Sequence, residues 1–532
     1  MHLPTFLSSF LLSFPLSKNR RAFLAGTLLL TGTGFLCRVL GFFYRIFLSR
    51  TIGAEGLGQF NLIHPIYGIC FALCAGSMQT ALSQYIAANR QRGRRILTTG
   101  LILSLAMAAT LAFLICRYVD WLASYILLEP RLAPLLPLMG LSVPFAAVHS
   151  CINGYYYGMQ RPQVPAFSQV AEQLIRMSLV SLLAFTALAQ RHILTVRLAV
   201  IGHLIGEVGA FLFNALCLRL APSQNSISKA GSDEGSGANS EASSEADNVH
   251  VLIDLFAAQP LMALALPLMG SRLVLNLLGA AEAVWIPGSL RLFGLSDNEA
   301  FAVYGVLSGM ALPFILFPSA ITNSMAVLLL PNVAQAQAEG RRGSIAASIS
   351  ISLRYSLYMG IFCIGIFTEF GMELGLGVFR DTQAGQFIQV LAWLCPFLYL
   401  ATTMGSILNG LGRTRTTFLQ NTAALLLRIG FVVFGIPRCG IHACLIGMLA
   451  SELLLALLHL HSLKHLVPFT WNAWDMLVKP ALLLIISLGI HRFFAVLLPL
   501  PAWLPLFIRA SLQILFVGCC YGGLLGLMHI YF

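Results

Sequence analysis

The chain has 532 residues, 58% hydrophobic and only 10% charged, with a mean hydropathy of +0.82. A soluble globular chain carries roughly 25% charged residues, so this composition excludes a separate soluble domain. The net charge of +12 would suit nucleic acid only if it were gathered on one face, and it is instead spread over the turns of a membrane protein.

Met1 to Ser17 is apolar and Ser-rich, and its charges (Lys18, Arg20, Arg21) follow the apolar stretch. A secretory signal places them before it, so residues 1–21 read as a cytoplasmic or membrane-surface tail. Apolar stretches long enough to cross about 30 Å of hydrocarbon then recur to the end. Fourteen are expected, near 22–48, 60–87, 96–116, 134–157, 166–188, 198–219, 260–286, 301–330, 351–372, 387–408, 417–435, 441–461, 474–497 and 506–530. If the first starts inside, the basic clusters Lys18/Arg20/Arg21, Arg90/Arg92/Arg94/Arg95, Arg341/Arg342 and Arg413/Arg415 all lie on the inner side, as the positive-inside rule requires. Both termini are then cytoplasmic.

The first span carries Arg38 and Arg45, seven residues apart. That spacing puts both guanidinium groups on one helix face, about 10 Å apart along the axis. The seventh span adds Arg272, with Asn276 and Gly279 on its face and Glu282 further round. An arginine near the bilayer centre costs about 2.5–3.5 kcal/mol on the lowest scale. A fixed anionic partner or an anionic passenger must offset that cost. For Arg45, a second reading is a side chain reaching to the outer interface.

Pro222 to Asn248 is rich in Ser, Gly, Ala, Asp and Glu, too polar to offset its ordering entropy. Residues 220–250 therefore read as a disordered cytoplasmic linker. It separates an N-terminal lobe, 22–219, from a C-terminal lobe, 251–465, and 466–532 holds two further spans. Val251, Leu252, Leu255 and Phe256 would share one face of a short helix lying on the membrane surface.

The lobes read as copies. Ile201-Gly202 to Glu207 in span six matches Ile446-Gly447 to Glu452 in span twelve. Gly93-Arg94-Arg95 after span two matches Gly340-Arg341-Arg342 after span eight, and Asn153-Gly154 in span four matches Asn409-Gly410 in span ten. Arg176 and Arg428 lie in the following spans. Six helices per copy is an even number, so the copies run parallel, and substrate sites in such transporters lie between the halves.

Glu172 and Arg176 have i,i+4 spacing and should pair. Glu207, Glu452 and Glu282 could couple an ion or tie helices together. The GxxxG pairs Gly154/Gly158, Gly202/Gly206 and Gly305/Gly309 read as helix-packing contacts. Most of the twelve cysteines lie within spans without C-x-x-C pairing, so they read as small packing residues. His461 and His465 have metal-like spacing, but histidine is also favoured at a helix C-terminus, and no metal is expected.

The run Leu36–Gly58 (LCRVLGFFYRIFLSRTIGAEGLG) resembles the first helix and outer loop of the stage V sporulation protein B family. The segment Ala311 to Gly340, with Thr322-Asn323-Ser324-Met325 and Leu330-Pro331-Asn332, resembles it too. That family belongs to the multidrug/oligosaccharidyl-lipid/polysaccharide (MOP) exporter superfamily, beside the MurJ-type lipid II flippases. The resemblance covers roughly residues 18 to 530. It implies an all-α polytopic membrane protein of about fourteen helices, two six-helix lobes plus two C-terminal helices, with a central cationic cavity. It also implies that Arg38, Arg45 and Arg272 engage a diphosphate and that spans thirteen and fourteen form a groove for a lipid tail. The lipid II flippases carry a further arginine just after a proline in the second helix. Here Ile66 follows Pro65, leaving Asn61 and His64 as the polar candidates.

The resulting expectation is a flippase of a bacterial plasma membrane. It would move an undecaprenyl-diphosphate-linked sugar, a peptidoglycan precursor such as lipid II or another polysaccharide repeat unit, to the outer leaflet by alternating access. Membrane lipids and cell-wall synthesis proteins are the implied partners, with no cofactor and no nucleic acid. The alternative on the same fold is a cation-coupled multidrug antiporter. A membrane glycosyltransferase is disfavoured, since D-x-D, H-E-x-x-H and G-x-x-x-x-G-K-[ST] are all missing.

Overall fold

A computed structural model describes residues 18–190, 194–220, 255–469, 471–498, 501 and 503–531. The N-terminal tail up to residue 17 and the linker reading, with Val251 and Leu252, lie outside the described residues. Every regular element among them is helical. Helices of eight or more residues are numbered α1 Lys18–Phe71, α2 Ser77–Ala88, α3 Gly93–Arg117, α4 Leu136–Gly158, α5 Gln163–Ala189, α6 Val196–Leu220, α7 Leu255–Phe293 and α8 Asp297–Gly305. They continue with α9 Ser319–Ala338, α10 Arg342–Leu374, α11 Thr382–Leu391, α12 Cys395–Gly410, α13 Thr414–Gly430, α14 Ile441–Leu466, α15 Lys479–Leu497 and α16 Leu506–Tyr531.

Thirteen helical stretches among the described residues are long and apolar enough to cross a membrane. They cover all fourteen expected spans, because the first, Leu29–Ala88, is a single stretch of 60 residues. The expected first and second spans meet inside it at Gly53, whose φ of 74° and ψ of −178° break the helix. Only glycine adopts such a backbone without strain, so this residue turns one helical run into two crossings. Pro318 acts differently. It splits the expected eighth span into Asp297–Leu316 and α9, because proline cannot supply the N–H an inner turn needs. Span nine begins at Arg342 rather than near 351, since polar residues at a helix mouth continue the helix into the headgroup region.

The chain forms two compact units. The first takes the described parts of Met1–Cys37, Ile66–Ala189 and Arg197–Asn276, and the second takes Arg38–Pro65, Gln190–Val196 and Leu277–Phe532. Met78, Leu82, Ile86, Ile96, Leu97, Ile152 and Met269 form a core in the first. In the second, Val333, Ile349, Leu353, Met404, Ile407 and Leu463 do the same.

Lipid tails are as apolar as Leu, so these helices gain little from hydrophobicity alone, and close approach of small residues decides which faces meet. A Cβ on Gly154 would stand 2.6 Å from the Gln79 carbonyl oxygen of α2, and one on Gly158 2.8 Å from Ile86 Cβ. In the second unit a Cβ on Gly410 would stand 2.8 Å from the Leu330 carbonyl oxygen of α9. The Asn-Gly pairs of spans four and ten thus make the same kind of contact, each with the span two before it. All twelve cysteines are free.

Candidate functional site

Gly58, Gly305 and Gly309 determine where Arg45 and Asn61 go. A Cβ on Gly305 would collide with the Ala54 carbonyl oxygen, one on Gly58 with that of Phe301, and one on Gly309 would sit 3.0 Å from Leu57 Cβ. Helix α1 therefore lies in backbone contact with the start of span eight. The contact brings Ser308, in the π-helical segment Val306–Ala311, against α1. Asn61 Nδ2 donates to Ser308 Oγ at 3.0 Å, and Arg45 Nη1 reaches the Ser308 carbonyl oxygen at 3.5 Å. The Ser308 hydroxyl itself donates to the Tyr304 carbonyl at 2.6 Å. A single serine thus joins two of the residues singled out from sequence. His64 is exposed, its ring 5.8 Å from that of Phe60. Arg38 is exposed and has no hydrogen bond or ion pair among the described residues.

In the first unit, Arg272 lies near the middle of the apolar stretch Ala258–Phe293. Its Nη2 donates to Thr80 Oγ1 at 3.1 Å. The guanidinium rests on Gly76, where a Cβ would approach Nη1 to 2.8 Å. Gly76 closes the π-helical segment Ala72–Gly76, a local widening of the kind that often marks functional sites. Asn276 Nδ2 donates back to the Arg272 carbonyl at 2.8 Å, and its Oδ1 faces Gly68.

None of Arg38, Arg45 and Arg272 has a carboxylate within ion-pair distance among the described residues. Two other membrane-embedded arginines contrast with them. Arg176 pairs with Glu172 one turn away, as their spacing led us to expect. Arg428 Nη2 lies 2.8 Å from Glu282 Oε2, and its Nη1 lies 4.0 Å from Glu452 Oε1. Three helices, α7, α13 and α14, meet at this one side chain.

The carboxylates are correspondingly occupied. Glu207 is 4% exposed, which rules out solvation by water, and it accepts from Tyr67 Oη at 2.8 Å. His149 Nε2 stands 2.8 Å from its other oxygen, and His203 lies one turn away on the same helix. Sequence reading missed Tyr67 and His149 as partners. Its only available signal was a polar side chain in each of two neighbouring apolar spans. The Arg428–Glu282 pair was missed too, although both residues had been noted singly.

Comparison with known proteins agrees with this architecture. The profile of the polysaccharide biosynthesis protein family matches residues 23–291. Stage V sporulation protein B of Bacillus subtilis (strain 168) is 25% identical over 464 residues, covering 85% of each chain. The lipid II flippase MurJ in an inward closed conformation superposes with a TM-score of 0.64 at 15% identity, over 93% of this chain and 97% of that one. An inward-facing multidrug resistance MATE family transporter of the MOP superfamily gives 0.57 at 13% identity, over 86% and 97%. The MurJ and MATE likenesses establish the fold, that of a multi-pass all-α membrane protein. The family profile spans just over half of the sequence, and the chain belongs to the polysaccharide biosynthesis protein family.

Proposed function

We propose that the protein is a flippase for an undecaprenyl-diphosphate-linked sugar, such as lipid II or another polysaccharide repeat unit. It would collect the lipid-linked sugar at the cytoplasmic leaflet of a bacterial plasma membrane and release it at the outer leaflet by alternating access, making no covalent change. Both termini would be cytoplasmic. The observation that carries this reading is the unequal partnering of the arginines. Arg176 and Arg428 are neutralised by carboxylates, whereas Arg38, Arg45 and Arg272 have no carboxylate partner among the described residues. An embedded cation without a fixed counter-ion suits an anionic passenger. The planar guanidinium fork fits phosphate oxygens with paired hydrogen bonds. Asn61, His64 and Asn276 would add polar contacts to the sugar–diphosphate head.

A cation-coupled multidrug antiporter on the same fold would need carboxylates to receive a cationic drug. Glu207, Glu172 and Glu282 are instead engaged by Tyr67 and His149, by Arg176 and by Arg428; we assign Glu207 and Glu282 to tying helices, and Glu172 to neutralising Arg176 on its own helix. The test is translocation in proteoliposomes, comparing lipid II with other polyprenyl-diphosphate sugars. Transport of at least one, dependent on Arg38 and Arg272, is the expected result. Exchange of a cationic drug for protons or sodium, with no lipid translocated, would sink the proposal.

A further inference from the structure

A second cationic site lies within the second unit and is built from other residues. Helices α10, α15 and α16, with the π-helical turn Trp474–Val478, border a partly open cavity of about 110 Å³ lined by Arg354, Tyr358, Asp475, Lys479, Leu525 and Met528. A single water needs only roughly 10–15 Å³ of such space, so the cavity has room for a larger group. Its frame is fixed. Tyr358 Oη donates to the Asp475 carbonyl at 3.1 Å, Tyr521 Oη to the Tyr358 carbonyl at 3.2 Å, and the Phe362 and Tyr521 rings stack at 5.4 Å. Asp475 pairs with Lys479 one turn on. Arg354 contributes a buried Nε that has no hydrogen-bond partner among the described residues. A buried donor left unmade is costly, so this atom calls for an acceptor.

Two features say what that acceptor is. The first is charge. Arg354 and Lys479 against Asp475 leave the cavity with a formal +1, which one phosphodiester anion balances and a diphosphate would exceed. The second is depth. Trp471 and Trp474 are exposed beside Asp475, and tryptophan collects at the membrane–water boundary where lipid headgroups lie. Below them Leu482 and Ile485 of α15 are exposed, a surface suited to an acyl chain, and Leu525 and Met528 form the apolar wall of the cavity itself.

We infer that this cavity is a binding site for a resident anionic phospholipid, its phosphodiester held by Arg354 and Lys479 and its chains running along α15. Its charged residues, Arg354, Asp475 and Lys479, are none of those proposed above for the substrate's diphosphate.

The test uses the full-length protein, delipidated in a neutral detergent, with phosphatidylglycerol and phosphatidylcholine as probes. Native mass spectrometry reads occupancy and thermal unfolding reads stabilisation. Wild type should prefer phosphatidylglycerol by about tenfold: both lipids carry the phosphodiester, but only phosphatidylcholine adds a choline cation, which the net positive cavity repels. Arg354→Gln and Lys479→Gln should each remove most of that preference. Leu525→Trp, which fills the cavity and leaves the charges alone, should remove it as well and guards against a charge variant that folds poorly. An unchanged preference in monodisperse variants would overturn the site. Equal stabilisation by inorganic phosphate would make it a free-anion site, and displacement of phosphatidylglycerol by equimolar undecaprenyl diphosphate would reassign it to the carrier lipid. Either result ends the phospholipid assignment.

Discussion

The charged clusters around Glu207 and around Arg428 occupy corresponding places in the two sequence copies, yet they are wired differently. Each has a glutamate in the sixth span of its copy and an arginine in the fifth. In the first unit the arginine turns to Glu172 on its own helix, and Glu207 is left to Tyr67 and His149. In the second, the arginine leaves its helix for Glu282 on α7 and keeps Glu452 at 4.0 Å. Both arrangements set every one of these carboxylates beside a hydrogen-bond donor or a cation. What a duplicated membrane fold preserves is therefore the requirement that buried acids be satisfied, and not the particular partner. Arg38, Arg45 and Arg272 depart from that requirement with the opposite sign of charge.

The largest effect is expected where one cation serves two acids. Arg428→Ala would leave Glu282, 7% exposed, without its counter-ion, and breaking such a buried pair costs about 3–5 kcal/mol. Unfolding of the purified protein should show that loss. Replacing Glu282 and Glu452 by Gln in the same background should restore most of it. A stable Arg428→Ala single variant would mean that the pair does not hold α7, α13 and α14 together.

Arg272→Ala sharpens the contrast. Removing a cation that has no carboxylate partner leaves no acid exposed, so stability should hold. Lipid-linked sugar transport should fall by about 10–100-fold, the loss of one or two charge-assisted hydrogen bonds. Arg272→Lys should recover only part, because it keeps the charge and loses the fork. Lost stability instead of lost transport would place Arg272 with Arg428 as a structural residue.

A smaller effect tests whether the copies pack alike. Gly154→Ala and Gly410→Ala would each push a methyl against a carbonyl oxygen, of Gln79 and Leu330 respectively. Overpacking of this kind costs about 1–3 kcal/mol, and the two variants should cost similar amounts in thermal unfolding. A large cost in one and none in the other would show that the Asn-Gly correspondence is only a likeness of letters.

These contrasts also mark what could be read from the chain. Spans, glycine contacts and the Glu172–Arg176 pair are local properties of spacing, and Gly154 or Arg176 announces its role within one or two turns of its own helix. Asn61–Ser308 and Arg428–Glu282 span 247 and 146 positions (308 − 61 and 428 − 282). Neither pair follows from periodicity, since an apolar helix with one polar residue has no directional signal beyond the face it occupies. Tyr67 was the least legible of all. A tyrosine in an apolar span reads as packing until its hydroxyl is found on a carboxylate.

The smallest expected effect is the most discriminating for Arg272. Thr80 accepts from Arg272 Nη2 at 3.1 Å while its own hydroxyl donates to the Gly76 carbonyl at 3.0 Å. Thr80→Val keeps the shape and removes both bonds. The guanidinium stays charged but loses a fixed side. A single such hydrogen bond is worth about 0.5–1.5 kcal/mol, so transport should drop by about two- to tenfold. The Gly76 carbonyl remains in a helical segment and needs no replacement partner, which leaves thermal stability nearly unchanged. Should Thr80→Val destabilise the protein as much as Arg428→Ala does, the hydroxyl would be holding helices together. The distinction between arginines that hold the fold and arginines kept for a passenger would then fail at the residue where it is drawn most finely.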